Sequence, residues 1–366
     1  MMIPISHFPL TRQQPKSFIP IMFNPIKENP NLDHILPLDF TAVQTLPDSH
    51  KWTTTNNTAH SPELTSGIPI IDLTDQNADT LIRQACEKWG MFQVTNHGIP
   101  FDLFDKVETQ TRYLFALPAN RKLLVARSPE GLSGYGQARI SSFFTKEMWY
   151  EGFTIIGSPA EHATKLWPNQ NTLFCEVMEK YQKEMKALSE RIIVLICKSL
   201  GLNPEDLDCL FRPNNESNNN QGVLQLNSYP MCPDPERAMG LAPHTDSSLL
   251  TILHQGGVSG LQVYGEEIGW VAVHPVEGAL VVNLGDLMHI ISNGRFKSAE
   301  HQAVVNKTRH RISAAYFYGP PTDVKISPLK KLIDFDHPMM YRPVTWKEYL
   351  DAKALYFHKA LEIIKT

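Results

Sequence analysis

The segment between Val223 and Tyr318 is a succession of short apolar runs separated by Gly, Asn and Pro, and this pattern constrains the fold most. Each run has the length and the β-branched or aromatic content of a short strand. Ser292-Asn293-Gly294 carries the Asn-Gly signal of a tight hairpin turn. About eight short strands in roughly a hundred residues predict a β-sandwich or barrel. The predicted strands are Leu224–Tyr229, Leu249–His254, Leu261–Tyr264, Trp270–Val273, Leu280–Asn283, Met288–Ile291, Ala303–Val305 and Ile312–Phe317.

Helical periodicity is found on either side of this β-rich segment. A short strand is expected at residues 68–73, and a capping box, Thr345-x-x-Glu348, begins the last helix. Residues 127–170 have no sustained period and are predicted to be irregular, while residues 214–222 form a polar loop. The predicted helices span about Leu81–Trp89, Phe101–Leu117, Thr172–Leu200 and Thr345–Ile364.

These patterns divide the chain into four parts and predict a mainly β core flanked by α-helices, with an α/β N-terminal region. Residues 1–66, rich in Pro, Asn and Thr, are expected to form an extended arm. Residues 67–221 form the N-terminal region with the long helix, and residues 222–322 form the β core. Residues 323–366 form a C-terminal helical segment.

Composition excludes several classes of protein. The chain has 366 residues and a net charge of −4, which argues against a nucleic-acid binder that depends on overall positive charge. Apolar runs stay far below the roughly 20 residues of a membrane helix. Five cysteines without a C-x-x-C pair disfavour a disulfide framework and a zinc cluster. We therefore expect a soluble, cytoplasmic protein without a nucleic-acid, membrane or obligate protein partner.

The β-rich segment contains three residues suited to one metal ion. In His244-Thr245-Asp246 the first and third side chains point to the same side of an extended chain, so both can reach one metal. A second histidine, His301, follows a later predicted strand pair. Two His and one Asp form the facial triad of non-haem iron enzymes. Alone, each of these residues is also compatible with a surface turn or a strand end.

Arg311-Ile312-Ser313 offers a site for a carboxylate ten residues after His301. The spacing places a guanidinium fork and a hydroxyl donor on one face of a strand. Tyr229 closes the first predicted strand and could give a phenol to the same carboxylate. The same tripeptide pattern recurs at Arg139-Ile140-Ser141, but there it lies in the irregular stretch. Chain position therefore assigns the anion-binding role to Arg311.

Together, H-x-D, the distal His, R-x-S and the preceding N-x-Y-P resemble the plant 2-oxoglutarate- and Fe(II)-dependent dioxygenases. The sequence CEKWGMFQVTNHG (residues 86–98) resembles the amino-terminal region of that family. The resemblance spans about residues 66–360 and implies a double-stranded β-helix, or jelly-roll, core. It also implies that iron binds to His244, Asp246 and His301 and that 2-oxoglutarate binds to Tyr229, Arg311 and Ser313. The implied cofactors are Fe(II), 2-oxoglutarate and O2, with ascorbate as reductant and no catalytic side chain beyond the iron centre.

Within that family, the chain is most similar to gibberellin 3-beta-dioxygenases. The similarity lies in DSHKW (residues 48–52), RSPEGLSGYG (127–136), ARISSFF (138–144) and MWYEGFTI (148–155). It implies 3-beta hydroxylation of a C19 gibberellin, an apolar diterpenoid that carries a carboxylate. The expected substrate contacts are Arg139 for the carboxylate and Phe143, Phe144 and Trp149 for an apolar wall.

The sequence leaves other functions open. Gibberellin 2-beta-oxidases and C-20 oxidases have the same iron core, and another plant small-molecule dioxygenase would also fit. A zinc hydrolase could use the same His and Asp ligands. A binding protein with a vestigial site is the third alternative. The Arg311–Ser313 pair argues against the hydrolase, and the intact metal ligands argue against the binding protein.

Overall fold

The computed structural model describes residues 38–40, 42–53, 67–128, 131–169, 172–207, 222–321 and 323–366. Most of the predicted arm (1–66) and of the predicted polar loop (214–222) lies outside these residues.

Two large sheets dominate the described part of the chain. The first has the strand order β1-β2-β10-β7-β12-β5-β4-β3, the second has the order β6-β11-β8-β9, and β13 pairs with β14. Apart from the parallel pair β1 and β2, the pairings are antiparallel, and the crossovers between the two sheets form the jelly-roll core. The strands are β1 (Ile70–Asp72), β2 (Met91–Thr95), β3 (Gly134–Gly136), β4 (Glu151–Ile156), β5 (Gly222–Tyr229), β6 (Leu241–His244), β7 (Leu250–His254), β8 (Leu261–Gly265), β9 (Gly269–Ala272), β10 (Leu280–Leu284), β11 (His301–Ala303), β12 (Arg311–Tyr318), β13 (Lys325–Ile326) and β14 (Val344–Thr345).

Helices cover the outer face of the first sheet. The helix α5 is amphipathic, and residues such as Tyr181 and Met185 are fully buried in the large core cluster that it shares with α1, α2 and the sheet. The helices are α1 (Ala78–Lys88), α2 (Phe101–Phe115), α3 (Ala119–Lys122), α4 (Ala160–Leu166), α5 (Thr172–Ser199), α6 (Asp286–Ile291), α7 (Trp346–Tyr356) and α8 (Ala360–Ile363). Turns of 3-10 helix cover Asp48–His50, Leu123–Val125, Arg139–Phe143, Pro204–Leu207, Pro235–Arg237, Lys330–Leu332 and Phe357–Lys359. Among the described residues, no helix is both long and apolar enough to cross a membrane.

Strand alternation sorts the side chains of the first sheet between two environments. On β10, Leu280 and Val282 face the helices, while Val281 packs into the cluster that the two sheets share, together with Val263 of β8. Successive residues of a strand point to opposite faces, so the same rule governs β5 and β12. The face of these two strands that points away from the helices is the one that carries polar residues.

Four expectations about secondary structure are wrong. Met288–Ile291 belongs to the helix α6, because a four-residue apolar run has too little periodicity to separate strand from helix. Asn293 and Gly294 end that helix with φ of 52° and 81°, a conformation that helix ends share with hairpin turns. The stretch 127–170 contains β3, β4 and α4. The capping box at Thr345 is present, but α7 ends at Tyr356 and does not continue to Ile364. Phe357, the next residue, takes a positive φ of 47°.

Candidate active site

Three potential metal ligands meet at one end of the second sheet. His244 ends β6 and His301 begins β11, and the two residues are direct partners in the antiparallel register. Asp246 follows two residues after β6, and its Oδ1 lies 3.8 Å from the Nε2 atom of each histidine. One ligand atom from each side chain falls within 4.8 Å of the others. The strand pairing therefore brings together residues that are 57 positions apart in the sequence.

Backbone carbonyls fix the orientation of both imidazoles. His244 Nδ1 donates to Ala242 O at 2.8 Å, and His301 Nδ1 donates to Ala299 O at 2.9 Å. A carbonyl can only accept, so each Nδ1 carries the proton and each Nε2 is left with a lone pair for a metal. Burial, followed by the neighbouring His301, lowers the pKa of His244 to about 3, so this ring is neutral at physiological pH.

A buried guanidinium lies in the same cavity, on the first sheet. Arg311 begins β12 and pairs in register with Tyr229, the last residue of β5, and its guanidinium lies 5.0 Å from the centre of the Tyr229 ring. Ser313 lies on the same face of β12 and accepts a hydrogen bond of 3.4 Å from Asn227 Nδ2. Burial raises the pKa of Tyr229, so its hydroxyl stays protonated and can donate.

Arg311 is 3% exposed, and its Nε has no hydrogen-bond partner among the described residues. None of the ion pairs of the described residues includes Arg311. Burial of a charge without an ionic partner is unfavourable, because its desolvation costs on the order of several kcal/mol. Burial lowers its pKa, but a guanidinium remains charged in proteins. The arrangement is therefore suited to an anion that comes from outside the chain.

The metal ligands and Arg311 open into one cavity of about 780 Å³. Arg139, Phe143 and Phe144 line the same cavity, so the structure brings these predicted substrate residues to the predicted metal and anion sites. Phe143 stacks on Phe357 with ring centres 4.7 Å apart, and Phe144 meets Phe357 edge to face at 5.7 Å. This aromatic contact joins the segment Arg139–Phe144 to the end of α7.

Trp149 does not belong to this cavity lining, which corrects the prediction made for it. Its side chain is fully buried, with Phe40 and His50 packed edge to face against the ring at 4.9 and 5.6 Å. Its indole N–H donates to Pro230 O at 3.1 Å. Neighbouring residues of an extended chain face opposite sides, and it is Tyr150 that lines the cavity.

Comparisons with known proteins place this site in a family. Residues 220–320 match the model of the 2OG-Fe(II) oxygenase superfamily, and residues 68–171 match the model described as non-haem dioxygenase in morphine synthesis N-terminal. Gibberellin 3-beta-dioxygenase 3 of Arabidopsis thaliana is 53% identical over 93% of this chain and 97% of that protein. Gibberellin 3-beta-dioxygenase 1 of Pisum sativum is 50% identical over 89% of each chain. The chain belongs to the gibberellin 3-beta-dioxygenase family.

Solved structures agree with this family at the level of the fold. The crystal structure of JOX2 in complex with 2OG, Fe, and JA is 31% identical, with a TM-score of 0.75 over 89% of this chain and 95% of JOX2. The dioxygenase for auxin oxidation in rice is 28% identical, with a TM-score of 0.67 over 82% of this chain. Like other members of its superfamily, this dioxygenase uses Fe(II) and 2-oxoglutarate.

The residues of this gibberellin 3-beta-dioxygenase family member fit both groups. Asp246 Oδ2 is buried without a partner among the described residues, and the imidazoles of His244 and His301 complete a three-ligand face. Such a face leaves the other positions of an octahedral Fe(II) open. The Arg311 Nε, which has no partner among the described residues, fits 2-oxoglutarate in the same way. A buried guanidinium without an acidic side chain beside it can bind a carboxylate of the cosubstrate.

Sequence reasoning missed the contribution of α7. Trp346, Leu350, Lys353 and Ala354 line the cavity, and their spacing of four, three and one residues places them on one helical face. The sequence contained a sign of this contribution, because Lys353 is a basic residue on an otherwise apolar face of the predicted helix. The acid that it contacts, Asp286, follows the apolar strand β10 and was not recognised either.

Proposed function

We propose that this protein hydroxylates a C19 gibberellin at the 3-beta carbon and so produces a bioactive gibberellin. The observation that carries the proposal is one shared cavity, which contains a His-Asp-His cluster, an apolar wall and a buried arginine without an acidic partner among the described residues. The similarity to gibberellin 3-beta-dioxygenases over most of the chain supplies the substrate class.

His244, Asp246 and His301 are the proposed Fe(II) ligands. When bound, the iron and 2-oxoglutarate activate O2 and supply the oxidising power for C–H hydroxylation. The protein contributes geometry, because both imidazoles are oriented by backbone carbonyls before a metal arrives. It also limits the contact of the ligands with bulk solvent, since His301 and Asp246 are buried.

Arg311, Ser313 and Tyr229 are proposed to hold the far carboxylate of 2-oxoglutarate. All three side chains lie on the cavity face of the paired strands β5 and β12. Arg311 offers two parallel N–H groups to a carboxylate, while Ser313 and Tyr229 each offer one hydroxyl donor. This anchor fixes the cosubstrate relative to strands that also border the metal site.

The gibberellin is proposed to lie between the metal and the segment Arg139–Phe144. Phe143 and Phe144 would contact the apolar ring system, and Arg139 would pair with the substrate carboxylate. Arg139 is exposed and also borders the cavity, so its charge is accessible to a substrate that enters. Arg127 lines the same region and interacts electrostatically with Arg139, which adds positive potential at this end.

Further expectations about organisation remain proposals. We propose four parts: an extended arm at residues 1–66, an N-terminal dioxygenase region with the long helix at 67–221, the jelly-roll core at 222–322 and a C-terminal helical segment at 323–366. A cytoplasmic location is supported by Cys86, Cys175, Cys197 and Cys232, which are free thiols. We also propose that the enzyme acts on its small-molecule substrate without an obligate protein partner.

Product analysis tests the proposal. The protein is incubated with Fe(II), ascorbate, 2-oxoglutarate and a C19 gibberellin that lacks both the 2-beta and 3-beta hydroxyls. A predominantly 3-beta product that requires 2-oxoglutarate is expected. A predominantly 2-beta product, or turnover of C20 precursors only, would overturn the regiochemistry. Activity that requires zinc and no 2-oxoglutarate would support a hydrolase, and binding without turnover would support a vestigial site.

A further inference from the structure

A buried carboxylate next to the metal ligands connects both ligand-bearing segments. Asp286 begins α6, two residues after the end of β10, and it is fully buried. Its Oδ1 accepts from Ser298 Oγ at 2.7 Å, and its Oδ2 accepts from Tyr349 OH at 2.7 Å and from Thr245 Oγ1 at 3.2 Å. The ammonium of Lys353 also donates to Oδ2. The carboxylate therefore lies at the centre of a four-donor network.

Two members of this network lie within three residues of a proposed metal ligand in the sequence. Thr245 lies between His244 and Asp246, and Ser298 precedes His301 by three residues. The backbone N–H of Asp286 also donates to Asp246 O at 2.8 Å. The network thus joins the segment that carries two ligands to the segment that carries the third.

Lys353 brings the C-terminal helix α7 into this arrangement. Its Nζ donates to Thr245 O at 2.8 Å, to Thr245 Oγ1 at 2.6 Å and to Asp286 Oδ2. An ammonium has three donors, so all three are used. The side chain is only 12% exposed. These contacts fix the peptide of the residue that separates the two proposed ligands His244 and Asp246.

We propose that Lys353 is a positioning residue of the metal centre, which holds Thr245 so that His244 and Asp246 can bind one ion together. This inference rests on the proposed function of the three ligands. Without the contacts of Lys353, the backbone at Thr245 can rotate. Metal binding must then order the two ligands, and the lost conformational entropy lowers the affinity. Loss of groups that orient metal ligands typically weakens metal affinity by about 10- to 100-fold.

Lys353 also forms an ion pair with Asp286. Charge compensation of Asp286 and positioning of Thr245 predict different effects on metal affinity. A role limited to neutralisation stabilises the fold but leaves the metal affinity of folded protein unchanged. A positioning role changes the affinity itself. A ligand that binds only the folded state raises the melting temperature according to its affinity, so the metal-induced rise in melting temperature separates the two roles.

The test compares Lys353→Met with Lys347→Met in the full-length protein. Lys347 lies on the same helix, but it is 74% exposed and pairs with Asp351 in solvent. Anaerobic titration with Fe(II) in the presence of 2-oxoglutarate gives the dissociation constant from the visible absorption of the complex. We expect Lys353→Met to bind Fe(II) about 10- to 100-fold more weakly and to show a smaller metal-induced rise in melting temperature, with Lys347→Met within twofold of wild type.

A second variant covers the case in which Lys353→Met does not fold. Lys353→Arg keeps a positive charge beside Asp286, but its planar fork cannot repeat the three contacts of the ammonium. We expect weaker Fe(II) binding in this variant as well. Wild-type affinity in Lys353→Arg, or in folded Lys353→Met, would overturn the positioning role. Failure of the wild-type protein to bind Fe(II) would instead overturn the proposed function.

Discussion

The substitution Arg311→Lys tests the proposed cosubstrate anchor most directly. It keeps the positive charge at a site that is 3% exposed, but it removes the planar fork and the Nε that has no partner among the described residues. Lysine also loses the guanidinium contact at 5.0 Å from the centre of the Tyr229 ring. The variant therefore separates the effect of the guanidinium's shape from the effect of its positive charge.

The size of the effect follows from the bonds that would be lost. Hydrogen bonds to charged groups contribute about 1.5–3 kcal/mol, which corresponds to roughly 10- to 150-fold in affinity. Little solvent can replace them, because Ser313 and Tyr229 are buried beside the guanidinium. We expect the dissociation constant for 2-oxoglutarate to rise within this range, while the affinity for Fe(II) stays within a fewfold.

Anaerobic titration of the Fe(II)-loaded protein with 2-oxoglutarate measures the effect. The matched control is Arg139→Lys, because Arg139 opens the same Arg-Ile-Ser tripeptide and lines the same cavity but is exposed. Its variant is expected to bind 2-oxoglutarate almost normally. Wild-type affinity in Arg311→Lys, or a larger loss in Arg139→Lys, would refute the assignment of the anchor to β12.

Three other predictions concern the metal, the aromatic contact and stability. Asp246→Ala is expected to abolish turnover and Fe(II) binding while the circular dichroism spectrum stays native; near-normal hydroxylation would remove this residue from the metal site. Phe357→Leu loses its ring stacking with Phe143, worth about 0.5–1.5 kcal/mol, so we expect KM for gibberellin to rise about 2- to 12-fold with KM for 2-oxoglutarate unchanged. Burial, followed by the charge of a nearby arginine, lowers the pKa of His310 to about 4, and its Nε2 lies 2.8 Å from Ser228 Oγ. The unfolded chain takes up this proton near pH 6.5 and the folded chain only near pH 4, so stability falls as pH drops through that window. Denaturant unfolding of His310→Gln should show a smaller loss of unfolding free energy between pH 6.5 and pH 4. A pH dependence equal to that of the wild type would contradict the role given to His310.

The proposed metal and cosubstrate ligands lie on strands or next to one, whereas Arg139 and Phe143 lie in a 3-10 turn. Arg311 and Ser313, like His244 and Asp246, are two residues apart, and a period of two places such pairs on one face whatever the rest of the fold does. The register then pairs Arg311 with Tyr229 and His301 with His244. Local alternation therefore predicted that Arg311 and Ser313, and His244 and Asp246, share a face, while the pairing with Tyr229 and His301 needed the three-dimensional structure.

The parts that sequence missed depend on long-range packing. Lys353 reaches Thr245 across 108 positions, and nothing in the local pattern distinguishes it from a solvated lysine such as Lys347 except the stripe it lies on. Trp149 was assigned to the wrong side because neither the strand β4, which begins at Glu151, nor its register with β5 was recognised. An apolar aromatic residue fits a core and a substrate wall equally well.

The proposed site separates the groups that would hold iron and 2-oxoglutarate from the groups that would select the carbon atom. The proposed metal ligands and Arg311 are tied to strand pairs, whose backbone hydrogen bonds hold them in register. The opposite wall is a short 3-10 turn, Arg139–Phe143, and Phe143 is held to α7 by its contact with Phe357. With iron bound, hydroxylation would take place at the C–H bond that the cavity holds nearest the metal site, and a displacement of about 1 Å changes rates by roughly two orders of magnitude. Substitutions in the turn or at Phe357 should therefore shift the ratio of 3-beta to 2-beta product while 2-oxoglutarate consumption continues. Substitutions at Arg311 should lower both products together.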